Sequence, residues 1–176
     1  MYLNKYIKSY LKKEFFFIKG RLKIQDIEYF KKKIEEGINS PDNMNSRTNV
    51  IGKMTSYNYF MQDKNFLKIL LPIMDLTEND QLFTDDWFLS DAWGFKETFS
   101  MYTRVHDHGI SLWSGVIYLS NADQPLIFPD IQESVKVEEG SFAIFSAFLK
   151  HKTKNRITNE DTKYGLSFNF NKIAKF

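Results

Sequence analysis

Apolar positions recur at helical spacing in the first half of the chain and at strand spacing in the second. Tyr2, Tyr6, Ile7, Tyr10 and Leu11, with lysines between them, predict a short amphipathic helix ahead of a strand at Phe15 to Ile18. After Gly20, Ile27, Phe30 and Ile34 form one stripe of a second helix that Gly37 is expected to stop. Phe66, Leu67, Leu70, Leu71 and Met74 predict a third helix over Lys64 to Leu76, with a kink or early end at Pro72. Between the last two, the polar segment Asn39 to Val50 has no period and reads as a loop.

From about Leu82 the texture changes. Short runs rich in Phe, Tyr, Val, Ile and Thr are separated by turn signals at Asn121, Phe128-Pro129-Asp130 and Glu139-Gly140. They predict about eight antiparallel strands, with no repeat or second-domain linker. The expected fold is mainly β with flanking helices (α+β), in one domain over 1–176: a helical part, 1–81, covering a β core, 82–176.

Composition supports a folded globular chain, since 43% of residues are hydrophobic and 17 are Phe. A formal net charge of +2 gives no basic field for nucleic acid. The absence of cysteine removes disulfides and thiolate metal sites, and makes the cytoplasm the expected compartment. Charges interrupt the N-terminal apolar positions, so no membrane partner is expected.

The chain has three histidines. His106 and His108 stand at alternate positions of Tyr102-Thr-Arg-Val-His-Asp-His108-Gly, so on a strand both rings project to one side, with Arg104 and Tyr102 behind them and Asp107 turned away. His151 follows the apolar strand that begins at Ser141, far enough along for a double sheet to return it opposite the pair. Three neutral imidazoles on one side of a divalent metal leave its other positions open. The alternative for each is a surface or satisfied core histidine.

A second constellation lies on the last strand, where Lys163, Gly165, Ser167 and Asn169 form a polar face and Tyr164, Leu166, Phe168 and Phe170 an apolar one. The polar face either lines a cavity, with Lys163 paired to an anionic ligand, or meets solvent. Tyr118 shares a face with Ser114 and Val116, directed either into the same cavity or into the core.

In order, Ala92-Trp93-Gly94, His106-Asp-His108, Ser114 to Leu119, His151 and Lys163 to Asn169 resemble the 2-oxoglutarate-dependent Fe(II) oxygenase superfamily, in its small bacterial and phage-type members. The resemblance spans about half the chain, Trp87 to Asn171. It implies a double-stranded β-helix, the jelly roll or cupin-like fold, holding Fe(II) and the small-molecule cosubstrate 2-oxoglutarate at its open end, with dioxygen activated there. The implied function is a dioxygenase that hydroxylates a substrate. By this resemblance His106 is the first metal ligand, His108 takes the usual acidic position and His151 is the distal ligand. Lys163 matches the basic residue, commonly Arg, that holds the far carboxylate of 2-oxoglutarate, and Tyr118 a cosubstrate-contacting tyrosine. Ser167, Tyr102 and Asn169 complete the expected cosubstrate-binding set.

With His in place of the carboxylate, the metal site carries charge +2 instead of +1 before cosubstrate binds. Two alternatives follow, a cupin-like metalloenzyme and a non-catalytic metal-binding or structural module that kept the barrel. A protein side chain, a nucleotide and a metabolite are the candidate classes of primary substrate.

Overall fold

The computed structural model describes residues 3–10 by their backbone, and 15–43, 49–78, 87–154 and 161–173. The element expected to be the first helix is a strand. Leu3–Tyr10 (β1) pairs antiparallel with Phe16–Leu22 (β2) from Leu3↔Leu22 to Tyr10↔Phe16. Over so short a span, aromatic residues and Ile satisfy either period, and pairing with the adjacent strand decides between them. Tyr2 and Leu11 lie outside the described residues.

Helix α1 runs Ile27–Ile38, begun by Asp26, whose carboxylate accepts from the Tyr29 N–H at 3.0 Å. Phe30 and Ile34 are buried as predicted, but Gly37 lies inside the helix. A Cβ there would stand 2.7 Å from Thr55 Cγ2, so Gly37 permits close approach of the chain instead of stopping the helix. Helix α2, Lys64–Glu78, continues through Pro72. Asp63 accepts from the N–H groups of Asn65 and Phe66 at its start, at 3.0 and 2.9 Å.

The short strands Val50–Ile51 (β3) and Lys53–Met54 (β4) precede α2, and seven strands follow it among the described residues. These are Trp87–Glu97 (β5), Tyr102–Thr103 (β6), Trp113–Tyr118 (β7), Ala122–Phe128 (β8), Glu133–Val137 (β9), Ser141–Ser146 (β10) and Lys163–Lys172 (β11). One antiparallel sheet has the order β1-β2-β10-β7-β11-β5-β4. Against it lie the hairpin β8-β9 and the pair β3-β6, connected through single bridges at His106↔His151 and Ile127↔Lys152. The core has two parts, one between the large sheet and the helices and one between the large sheet and the strands β8 and β9.

Residue alternation explains the layering. Ile117, Ile144, Leu166 and Phe168 face α1 and α2 with Phe30, Ile34, Phe66 and Ile73, while Val116, Tyr118, Ala143 and Phe145 face Leu126, Phe128 and Val135 of the second sheet. The central strands β7 and β10 are therefore buried throughout. On β5, Gly94 lets α1 approach, because a Cβ there would lie 2.4 Å from Ile34 Cγ1. No helix among the described residues is long and apolar enough to cross a membrane.

Candidate metal centre and cavity

After β6 the chain bends at Val105 and pairs again at His106. His106 and His151 exchange both main-chain hydrogen bonds, at 3.1 and 2.9 Å, and the His108 N–H donates to the Ala147 carbonyl at 2.7 Å. The backbone thus brings the histidine pair and the distal histidine together. Their ligating nitrogens lie within 4.8 Å of one another, and the ring centroids are 4.3 to 5.1 Å apart. Asp107 is not part of this triad, and its carboxylate accepts from the Gly109 N–H at 3.1 Å.

Hydrogen bonding selects the tautomer. Nδ1 of His106 lies 2.9 Å from the Arg104 carbonyl and Nδ1 of His151 lies 3.0 Å from the Leu149 carbonyl. A carbonyl only accepts, so both Nδ1 atoms carry the proton and both Nε2 atoms keep a lone pair. Burial, the first cause at each ring, pushes His108 down to about 4 and His151 down to about 3 and also lowers His106; the neighbouring histidines add to the effect at His108 and His151. At neutral pH the triad is three neutral imidazoles, a donor set that fits a divalent first-row metal.

From the triad a narrow cavity of about 60 Å³ runs between the sheets, lined by Trp93, Phe95, Glu97, Thr103, Tyr118, Lys163, Ser167 and Asn169 among others. The polar face predicted for the last strand therefore lines a cavity, and Tyr118 lies on it. Tyr118 is 1% exposed, and burial, followed by the charge of Glu97, raises its hydroxyl pKa. Asn169 accepts from Ser114 Oγ at 2.7 Å. Tyr102 departs from the expected set, because Thr103 lines the cavity and Tyr102 does not. The bend at Val105 is the reason, since strand parity does not carry across it.

Lys163 is 1% exposed and sits at the inner end in an ion pair with Glu97, itself 1% exposed and its direct cross-strand partner. Its Nζ donates to Gln124 Oε1 at 2.7 Å and lies 5.8 and 5.9 Å from the Phe95 and Tyr118 ring centres. Glu97 Oε1 accepts from Thr103 Oγ1 at 3.0 Å. Neither Glu97, Thr103 nor Gln124 was legible as a site residue. Glu97 would have been found only by placing Lys163 in register with the end of β5.

On the outer side, a wider cleft of about 540 Å³ is lined by Tyr57, Asp91, Trp93, His106, Asp107, His108 and Ile110, with Asn49 and Val50 from the predicted loop. That loop thus borders the opening at its end, while 44–48 lie outside the described residues. In the stretch Lys152 to Lys163, Thr153 and Lys163 line the inner cavity and 155–160 lie outside the described residues.

No protein-family model matches the chain, and no curated protein matches it. Solved structures do match in fold. A viral collagen prolyl hydroxylase from Paramecium bursaria Chlorella virus-1, in complex with 2-oxoglutarate, has a TM-score of 0.66 at 14% identity, covering 92% of this chain and 98% of that one. A prolyl-4-hydroxylase from Pseudomonas putida has a TM-score of 0.66 at 12% identity, covering 90% and 93%. HygX from Streptomyces hygroscopicus, with nickel, 2-oxoglutarate and hygromycin B bound, has a TM-score of 0.65 at 13% identity, covering 90% and 82%. This chain therefore shares the jelly-roll fold of 2-oxoglutarate-dependent oxygenases.

Proposed function

We propose that this chain is a non-haem Fe(II) enzyme that uses a 2-oxo acid, 2-oxoglutarate foremost, to oxidise a substrate presented at the outer cleft. The observation that carries this reading is the convergence of His106, His108 and His151, all neutral and with two tautomers selected, where a wide cleft meets a narrow cavity. The solved structures of the same fold that hold 2-oxoglutarate with nickel support the choice of cosubstrate.

His106, His108 and His151 hold the metal, which when bound supplies the redox chemistry for dioxygen activation. The backbone pairing of His106 with His151 presets the spacing of two ligands, so little ordering remains to be done on metal binding. Lys163 is the cation nearest the inner end, and Tyr118, Ser167 and Asn169 line the wall along which the cosubstrate lies. Phe95, Val116, Leu126 and Phe145 keep that wall apolar elsewhere and restrict water. Trp93, Tyr57 and Asp91 face the cleft, where the primary substrate binds.

The purified protein, given Fe(II), 2-oxoglutarate and ascorbate in air, is expected to form succinate even without a primary substrate. Replacement of the usual carboxylate ligand by His108 favours a second reading, a cupin-like metalloenzyme that does not use 2-oxoglutarate. Tight metal binding with neither succinate formation nor a spectral response to 2-oxoglutarate would establish that second reading over the first.

A further inference from the structure

The reading above rests on attraction between an anionic cosubstrate and the cavity, and the two ends of the cavity differ in charge. At the outer end three uncharged imidazoles leave a divalent metal its whole charge of two. At the inner end the Lys163 ammonium is paired with the Glu97 carboxylate, both buried, so among the described residues this pair is neutral. Gln124 Oε1, which accepts from Lys163, and Thr103 Oγ1, which donates to Glu97, hold the pair in place.

We propose that Glu97 is the specificity-determining residue for the cosubstrate: the chain's own carboxylate occupies the anion-pairing position at Lys163, so the site recognises a 2-oxo acid by its head and accepts 2-oxo monocarboxylic acids alongside 2-oxoglutarate. The inference depends on the 2-oxo-acid reading and deepens it. A second carboxylate arriving at Lys163 shares one ammonium with Glu97 and meets a like charge beside it. Space points the same way. Glu97 and Lys163 line the same narrow cavity, so a five-carbon diacid that reaches the ammonium comes up against the Glu97 side chain. A shorter acid without the distal carboxylate meets no such obstacle, and its carboxylate and keto oxygen keep the attraction of the metal end.

The test is anaerobic calorimetry on the Fe(II)-loaded protein with 2-oxoglutarate and with 2-oxobutanoate. In the unmodified protein the two dissociation constants are expected to lie within tenfold, and a preference above tenfold for 2-oxoglutarate overturns the inference. Glu97→Gln is expected to tighten 2-oxoglutarate at least tenfold while moving 2-oxobutanoate less than twofold. No tightening in a variant that keeps a cooperative melt overturns it as well. Should Glu97→Gln not fold, the comparison in the unmodified protein decides alone. If neither acid binds, the 2-oxo-acid reading fails and takes the inference with it; if both bind and the preference is wrong, only the inference fails.

Discussion

His106 and His151 stand directly opposite one another on antiparallel segments and exchange both main-chain hydrogen bonds, at 3.1 and 2.9 Å. Two side chains far apart in sequence are thereby placed at the spacing of neighbouring strands, and Nδ1 of each ring donates to a carbonyl two residues before it. The arrangement of the three imidazoles is set by the fold itself.

Metal addition is therefore expected to stabilise the folded chain. At free metal a hundred times the dissociation constant, linkage contributes about 2.7 kcal/mol. For a domain of this size that raises Tm by roughly 5 to 10 °C. Thermal melts with and without Fe(II) or Ni(II) check this, and His106→Ala is expected to abolish the rise. An unmodified protein whose melt ignores every divalent metal would rule out the metal centre.

The metal-free protein is expected to lose stability in mild acid. The folded-state pKa values of His108 and His151 lie near 4 and 3, below the unfolded value of 6.5. As pH falls the unfolded chain takes up protons first, so stability is fully present above about 6.5 and drains away toward 4. By pH 5 the loss amounts to about 2 to 4 kcal/mol. Urea denaturation at pH 7.5, 6 and 5 measures it, and saturating metal is expected to move the loss to lower pH.

Lys163→Met is expected to cost about 3 to 5 kcal/mol, because it leaves the Glu97 carboxylate buried beside apolar walls. Replacing both partners, Lys163→Met with Glu97→Leu, is expected to recover most of that loss. A double-mutant cycle by urea denaturation gives the coupling directly. Additive costs would mean that the pair does not interact as drawn.

Gly94→Ala is expected to destabilise by about 1 to 3 kcal/mol, since its Cβ would lie 2.4 Å from Ile34 Cγ1 and force α1 away from β5. Metal affinity is expected to be retained, because the ligands stand on segments of the opposite sheet. Calorimetric metal titration of the variant separates the two effects.

Much of the site was legible because strand periodicity is local. Alternation alone paired His106 with His108, left Asp107 out of the ligand set and put Lys163, Ser167 and Asn169 on one face. The same rule failed at Tyr102, where the bend at Val105 breaks the alternation it assumes. It also misread the first element, because eight residues with aromatic spacing form a strand once a neighbouring strand offers its hydrogen bonds.

The amino-acid sequence by itself determined the helices α1 and α2, the β-rich second half and the three histidines as a candidate metal set. These depend on spacing within a few residues. Only the tertiary structure decided that Glu97 faces Lys163 and that Thr103 and Gln124 hold the pair. Such partners are set by the register of strands distant along the chain, and that register follows from packing both faces of the sheet at once. A buried charge finds its neutralising partner there, and the character of the cavity changes with it.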